Sequence, residues 1–128
     1  AQVVAAGVAA DWMRAIGMEN IEAHEKAIAG ELLKLSDIDG VRILGPRENV
    51  DRIGTVAFDV QGVHPHDVGQ FIDSLGIAIR VGHHCAQPVH RHFGLYASNR
   101  ASTGVYNSVE DAQALVEAVS KVRPFFKV

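Results

Sequence analysis

An α+β layer fold is what this sequence predicts, a sheet of short strands with helices packed on one face. Two observations predict it. Segments with apolar residues at helical spacing stand at both ends of the 128-residue chain, and short runs rich in β-branched and aromatic residues stand between them. The chain has no internal repeat, linker or low-complexity run to divide it, so residues 1–128 form a single unit.

Each element follows from a local signal. Residues 2–16 are rich in Ala and Val and read as a helix with Gly17 as its C-cap. The polar face of this helix is thin, so it is expected to lean on another domain or subunit. "MENIEAHEKAIAGELLKLSDI" is a second helix, with Ile21, Ile28, Leu32 and Leu35 on one face and Glu22–Lys26 as a supporting pair. Gly40 punctuates, "VRILG" is a short strand, and "PRENVDR" is a loop. "IGTVAFDV" is a strand, and "VHPHDVGQFIDSLGI" is a helix with Pro65 near its first turn, which puts His64 and His66 at its exposed start. "IAIR" is a strand ending at Arg80, a loop follows, and "RASTGVY" is the next strand. Ser108 caps a last amphipathic helix, "VEDAQALVEAVSKVRPFF".

Composition removes several classes of function. With 48% apolar and 21% charged residues the chain is that of an ordinary globular protein. A net charge of −3 provides no field that would gather nucleic acid. No apolar run approaches the ~20 residues of a membrane span, and "AQVVAAGVAADW" has neither a basic leader nor a cleavage context. A single cysteine cannot form an internal disulfide, so a reducing, cytoplasmic setting is the simplest reading. The chain enters a helical pattern at once, with no Met and no clear cap, as expected of a piece of something longer.

Chemistry-bearing residues concentrate in "RVGHHCAQPVHRHFG", residues 80–94, which hold the only cysteine and four of seven histidines. Zinc takes His nitrogen and Cys sulfur, but the adjacent His83, His84 and Cys85 cannot easily all reach one tetrahedral ion. The loop has no C-x-x-C, and its histidines include no helical H-x-x-x-H pair. A nucleophilic Cys85 is the other use, because Arg80, Arg91 and the histidines could favour its thiolate and Gly82 and Pro88 bracket a loop that could present it. A small buried apolar cysteine fits the spacing equally well. Arg80 and Arg100, at the ends of adjacent strands, could clamp a carboxylate or could be two surface arginines.

"RVGHHCAQP", then "RHFG", "NRAS" and "VYN", together with the leading "AQVV" helix and "GVHPHDV", resemble the C-terminal domain of SufS-type cysteine desulfurases. These are fold-type I, pyridoxal-phosphate-dependent enzymes of the class V aminotransferase family. The resemblance implies a small domain with a short, mostly antiparallel sheet. It implies conversion of L-cysteine to L-alanine, a transferase reaction in which Cys85 attacks the sulfur of the cysteine–cofactor adduct and carries it as a persulfide for iron–sulfur cluster assembly. Arg100 would bind the substrate carboxylate, Arg80 would line the same pocket, and His83 and His84 would support the loop by packing and electrostatics. His66 matches a histidine that approaches the zinc of a SufU scaffold in some relatives; others pass sulfur to SufE. The parent would be a cytoplasmic homodimer with no nucleic-acid or membrane partner. The family's cofactor-binding large domain has no counterpart here, and Lys26, Lys34, Lys121 and Lys127 lie outside any cofactor context. The chain alone is therefore expected to bind no pyridoxal phosphate and to be inactive. The rival reading is a small module that uses its Cys and His side chains to bind a metal or a partner.

Overall fold

Gly17 at φ +94° separates the first two helices, its N–H bonded back to the carbonyl of Met13. The computed structural model describes all residues 1–128. Its elements are α1 (Gln2–Ile16), α2 (Met18–Leu33), a 3-10 turn (Lys34–Asp37), β1 (Val41–Ile43), β2 (Thr55–Val60), α3 (Pro65–Ser74), β3 (Arg80–Gly82), α4 (Gln87–Phe93), β4 (Ser98–Ser102), α5 (Val109–Ser120) and α6 (Val122–Phe126).

The four strands form one sheet in the order β1-β2-β4-β3, every neighbouring pair antiparallel. Alternation along β2 sends Val56, Phe58 and Val60 to a buried face and leaves Thr55, Ala57 and Asp59 on the reverse. The pairs Ile43↔Phe58, Phe58↔Asn99 and Val56↔Ala101 continue that buried face across the sheet. Ile28 and Leu32 of α2, Val68 and Ile72 of α3, and Leu115 and Val119 of α5 complete one core against it. α2, α3 and α5 thus lie on one face, as expected. Ile21, Ile28, Leu32 and Leu35, read as one helical face, are all buried. α1 buries no residue, and Val3, Val4, Val8 and Trp12 stand exposed along it.

Four local expectations need correction. The strand at "IAIR" starts at Arg80 and does not end there. Gly76 has φ +81°, and Ile77 N–H bonds to the carbonyl of Ile72 at the end of α3, so residues 77–79 are drawn towards that helix. A cavity separates them from Ala101–Thr103. The strand at "RASTGVY" is shifted to Ser98–Ser102, because Thr103 turns onto Gly54: both its N–H (2.8 Å) and its hydroxyl (2.9 Å) donate to the Gly54 carbonyl. The last helix is two helices, since Pro124 has no N–H to offer the carbonyl one turn back. The "loop" at 80–94 contains α4, with Pro88 in its first turn and Gly94 closing it at φ +69°.

Ser108 caps α5 as expected, its hydroxyl accepting from Asp111 N–H (3.2 Å) while Asp111 accepts from Ser108 N–H (3.0 Å). Ser108→Ala is expected to destabilise the fold by about 1 kcal/mol. Phe58→Ala, at a fully buried site in mid-sheet, is expected to cost about 3–5 kcal/mol. Urea unfolding checks both; comparable losses for the two substitutions would mean that the core does not centre on Phe58.

Candidate active site around Cys85

Beyond β3 the chain makes a tight turn. Ala86 N–H donates to the His83 carbonyl (2.8 Å), and the two residues between them, His84 and Cys85, have φ of +53° and +57°. Positive φ at both central positions is the type I′ arrangement, which favours Gly, Asn and Asp because a Cβ crowds the backbone there. His and Cys occupy it instead. Left-handed backbone at residues with a Cβ costs on the order of 1–3 kcal/mol each and persists where the surroundings hold it. Cys85 sits exposed at the apex.

The holding groups come from β4 and α4. Register places Asn99 and Ala101 on the core face, so Ser98 and Arg100 point to the reverse face. His84 Nε2 lies 3.2 Å from both the carbonyl and the hydroxyl of Ser98. His90 is 4% exposed; its Nδ1 is 3.0 Å from the Ala86 carbonyl and its Nε2 is 2.9 Å from the Ser98 hydroxyl. Carbonyls only accept, so His84 Nε2 and His90 Nδ1 carry the hydrogens. In neutral His90 the Nε2 therefore accepts from Ser98, whose oxygen in turn accepts from His84. His83 packs edge-on against Tyr96 (5.0 Å between centroids) and His90 (5.8 Å). At the far end of α4, Arg42 donates to the Phe93 carbonyl (3.2 Å), fixing the helix to the reverse face of the sheet.

Arg80 and Arg100 do not stand at adjacent strand ends, as the sequence reading had it. They are direct cross-strand partners. Arg100 donates from Nε to the Ser102 hydroxyl (3.1 Å), and neither guanidinium has a salt-bridge partner. Like charges directly opposite destabilise a sheet, and no carboxylate of the chain offsets this pair. Both arginines also act on His84. Burial first, then the charge of Arg100, with smaller effects of His90 and Arg80, holds its pKa below the ordinary 6.5 against the opposing pull of the Ser98 backbone.

His66 lies apart, at the exposed start of α3. Its N–H donates to His64 Nδ1 (3.3 Å), and the two rings stack at 5.6 Å. It borders a groove whose far wall includes Val81 of β3, four residues before Cys85. No three His, Cys, Asp or Glu side chains converge as metal ligands, and both nitrogens of His90 are engaged by Ala86 and Ser98. Sequence reasoning weighed His90 only as a possible metal ligand or one of the histidines near the thiol, and gave no role to Ser98 or Arg42. Pro88 and Gly94 were signals of a helix between them, and that helix puts His90 one turn after the Ala86 carbonyl.

The model of the class-V aminotransferase family matches residues 1–115. The chain is 49% identical over 126 residues to "Probable cysteine desulfurase 2" of Mycobacterium leprae, covering 98% of this chain and 30% of that protein. It is 43% identical over 127 residues to "Probable cysteine desulfurase" of Streptomyces coelicolor, with the same coverage of each. Among solved structures, an apo cysteine desulfurase of Thermococcus onnurineus superposes with TM-score 0.81 at 35% identity, over 87% of this chain and 28% of that one. A cysteine desulfurase of Escherichia coli in an S-sulfonic acid form superposes with TM-score 0.78 at 29% identity, over 90% and 28%. The chain thus spans about 30% of the length of the curated relatives it matches.

Because the fold favours neutral His84 while the unfolded chain protonates near pH 6.5, this residue's contribution to stability is complete above that pH. It is lost as pH falls through 6.5 towards the depressed folded-state pKa. The melting temperature is expected to fall between about pH 7.5 and 5, and to fall less in His84→Asn. Parallel curves for the two proteins would show that His84 titrates as it does in the unfolded chain.

Proposed function

The chain belongs to the class-V aminotransferase family, and from that membership we propose that it is the C-terminal portion of a cysteine desulfurase, with Cys85 as the sulfur-accepting nucleophile. The single observation that carries this reading is the exposed Cys85 at the apex of a strained turn, with the opposed guanidinium pair Arg80–Arg100 on the strands beside it. The names of the relatives support the same assignment.

The net reaction breaks the Cβ–S bond of L-cysteine and forms an S–S bond at Cys85. The proton of the Cys85 thiol is balanced by the new C–H bond of alanine. Arg100 and Arg80 hold the substrate carboxylate, so that the leaving sulfur is presented to a thiol fixed in space. His83 and His84 support the turn, and burial biases His84 to its neutral form. The persulfide serves iron–sulfur cluster assembly through an acceptor of SufU or SufE type. In this reading His66, on its exposed helix start beside the β3 groove, would meet a SufU partner.

Pyridoxal phosphate supplies the electron sink for carbon–sulfur cleavage when bound, but the residues of this chain do not fit it. Lys26, Lys34 and Lys121 are each paired to a glutamate, and Lys127 ends α6. None is offered to the Cys85 loop as an aldehyde-binding amine. In this reading the cofactor would be held by a large domain outside these residues. The exposed apolar side of α1 is read as the surface that meets that domain or a second subunit of a cytoplasmic homodimer.

Three measurements test the reading. Iodoacetamide is expected to label Cys85 rapidly near neutral pH, with the same rate in the presence of a chelator. Slow labelling that the chelator accelerates would hand the site to a metal-binding module. The chain alone, given pyridoxal phosphate and L-cysteine, should release no alanine above a Cys85→Ala control. Transplanted into the Mycobacterium leprae relative in place of its matching third, it should support alanine release. That release should drop at least about 100-fold in Cys85→Ala, and KM should rise at least about tenfold in Arg100→Ala. Turnover indifferent to Cys85 would sink the assignment.

A further inference from the structure

We propose that His90 and Ser98 are positioning residues that hold Cys85 for sulfur transfer, a role that rests on the reading of Cys85 as the nucleophile. Cys85 occupies a backbone conformation that its own Cβ disfavours, and so does His84 before it. Left to itself the turn would relax. Each flank of Cys85 is instead tied to the same buried residue of the sheet. On one side His84 Nε2–H reaches the carbonyl and hydroxyl of Ser98 directly. On the other the Ala86 carbonyl, which also accepts from the N–H groups of Val89 (3.0 Å) and His90 (3.3 Å), takes a further bond from His90 Nδ1–H, and His90 Nε2 is anchored on the Ser98 hydroxyl. Ser98 is 0% exposed and His90 4%, so the bond between them is shielded from bulk water. One buried residue of an inner strand thus reaches both flanks of the nucleophile, and its hydroxyl is the atom that joins His84 to His90.

The arrangement is local. Ser98 and His90 lie on the reverse face of the sheet, while the core that stabilises the fold lies on the other face, around Phe58, Ile28 and Ile72. Loss of the hydroxyl should free the turn and leave the core standing. Sulfur transfer demands one geometry at the reacting thiol and suffers from small misplacements. Binding of the substrate carboxylate depends on the arginines, which these bonds do not include.

Amide hydrogen exchange on the chain itself tests the anchoring. The reporter is Ala86 N–H, which closes the turn on His83. Ser98→Ala and His90→Leu are expected to speed its exchange at least about tenfold, with β2 amides changing less than about threefold and Ser98→Thr staying within about threefold of the native chain. Unchanged exchange at Ala86 in both variants overturns the proposal, as does a rise shared equally by β2, which marks general destabilisation. In the transplanted enzyme, Ser98→Ala is expected to lower kcat at least about tenfold while KM for L-cysteine moves less than about twofold. Equal kcat for native and variant also overturns it. A native transplant that folds but turns over no cysteine counts against the sulfur-transfer reading, and exchange at Ala86 alone then decides whether these residues anchor the turn.

Discussion

The register of β4 is the constraint on which the other features depend. It is an inner strand, paired to β2 on one side and β3 on the other, so its alternation is fixed twice. A slip of one residue would send Arg100 into the core and Ala101 to the reverse face. With the register as it stands, Ala101 closes the core against Val56, and Ser98 and Arg100 are delivered to the face that carries α4. Stability and site chemistry are thus two sides of one five-residue strand.

This division has a cost that is visible at Asn99. It is fully buried on the core face opposite Phe58, and neither its amide oxygen nor its nitrogen has a partner. An unpartnered buried polar group costs about 1–3 kcal/mol, and nothing in the structure explains its presence. The reverse face shows the opposite economy. There the buried polar atoms of Ser98 and His90 bond one another and the strained turn, with His84 Nδ1 the one buried ring nitrogen left without a partner. Strain at His84 and Cys85 is sustained because rigid neighbours on β4 and α4 oppose relaxation, as is common where a loop must present one side chain.

Much of the architecture was legible in the residues. The two leading helices, Gly17 between them, the buried row Ile21, Ile28, Leu32 and Leu35, the β2 strand and the Ser108 cap all follow from nearest-neighbour preferences and periodicity. Two errors passed over local signals, Pro124 in the last helix and Pro88 and Gly94 around α4; the other two fell where a distant partner set the outcome. Ile77–Ile79 look like strand, yet the end of α3 draws them away. Residues 103–106 look like strand, yet Thr103 is captured by Gly54. Short segments have too few side chains for propensity to outweigh one long-range hydrogen bond or a missing sheet partner.

The sequence by itself determined the chemistry on offer: one thiol, a cluster of histidines around it, two arginines at a readable distance, and the pattern of "RVGHHCAQP" and "NRAS" that fixed the family. Only the tertiary structure decided how these groups meet. It put Arg80 directly opposite Arg100, turned half of the expected loop into α4, and brought Ser98 beneath both flanks of Cys85. The reason is physical. Residue type and spacing fix local backbone preference and charge. Which side chains share a hydrogen bond across fourteen residues, as His84 and Ser98 do, depends on sheet register, and register is settled only when the core packs.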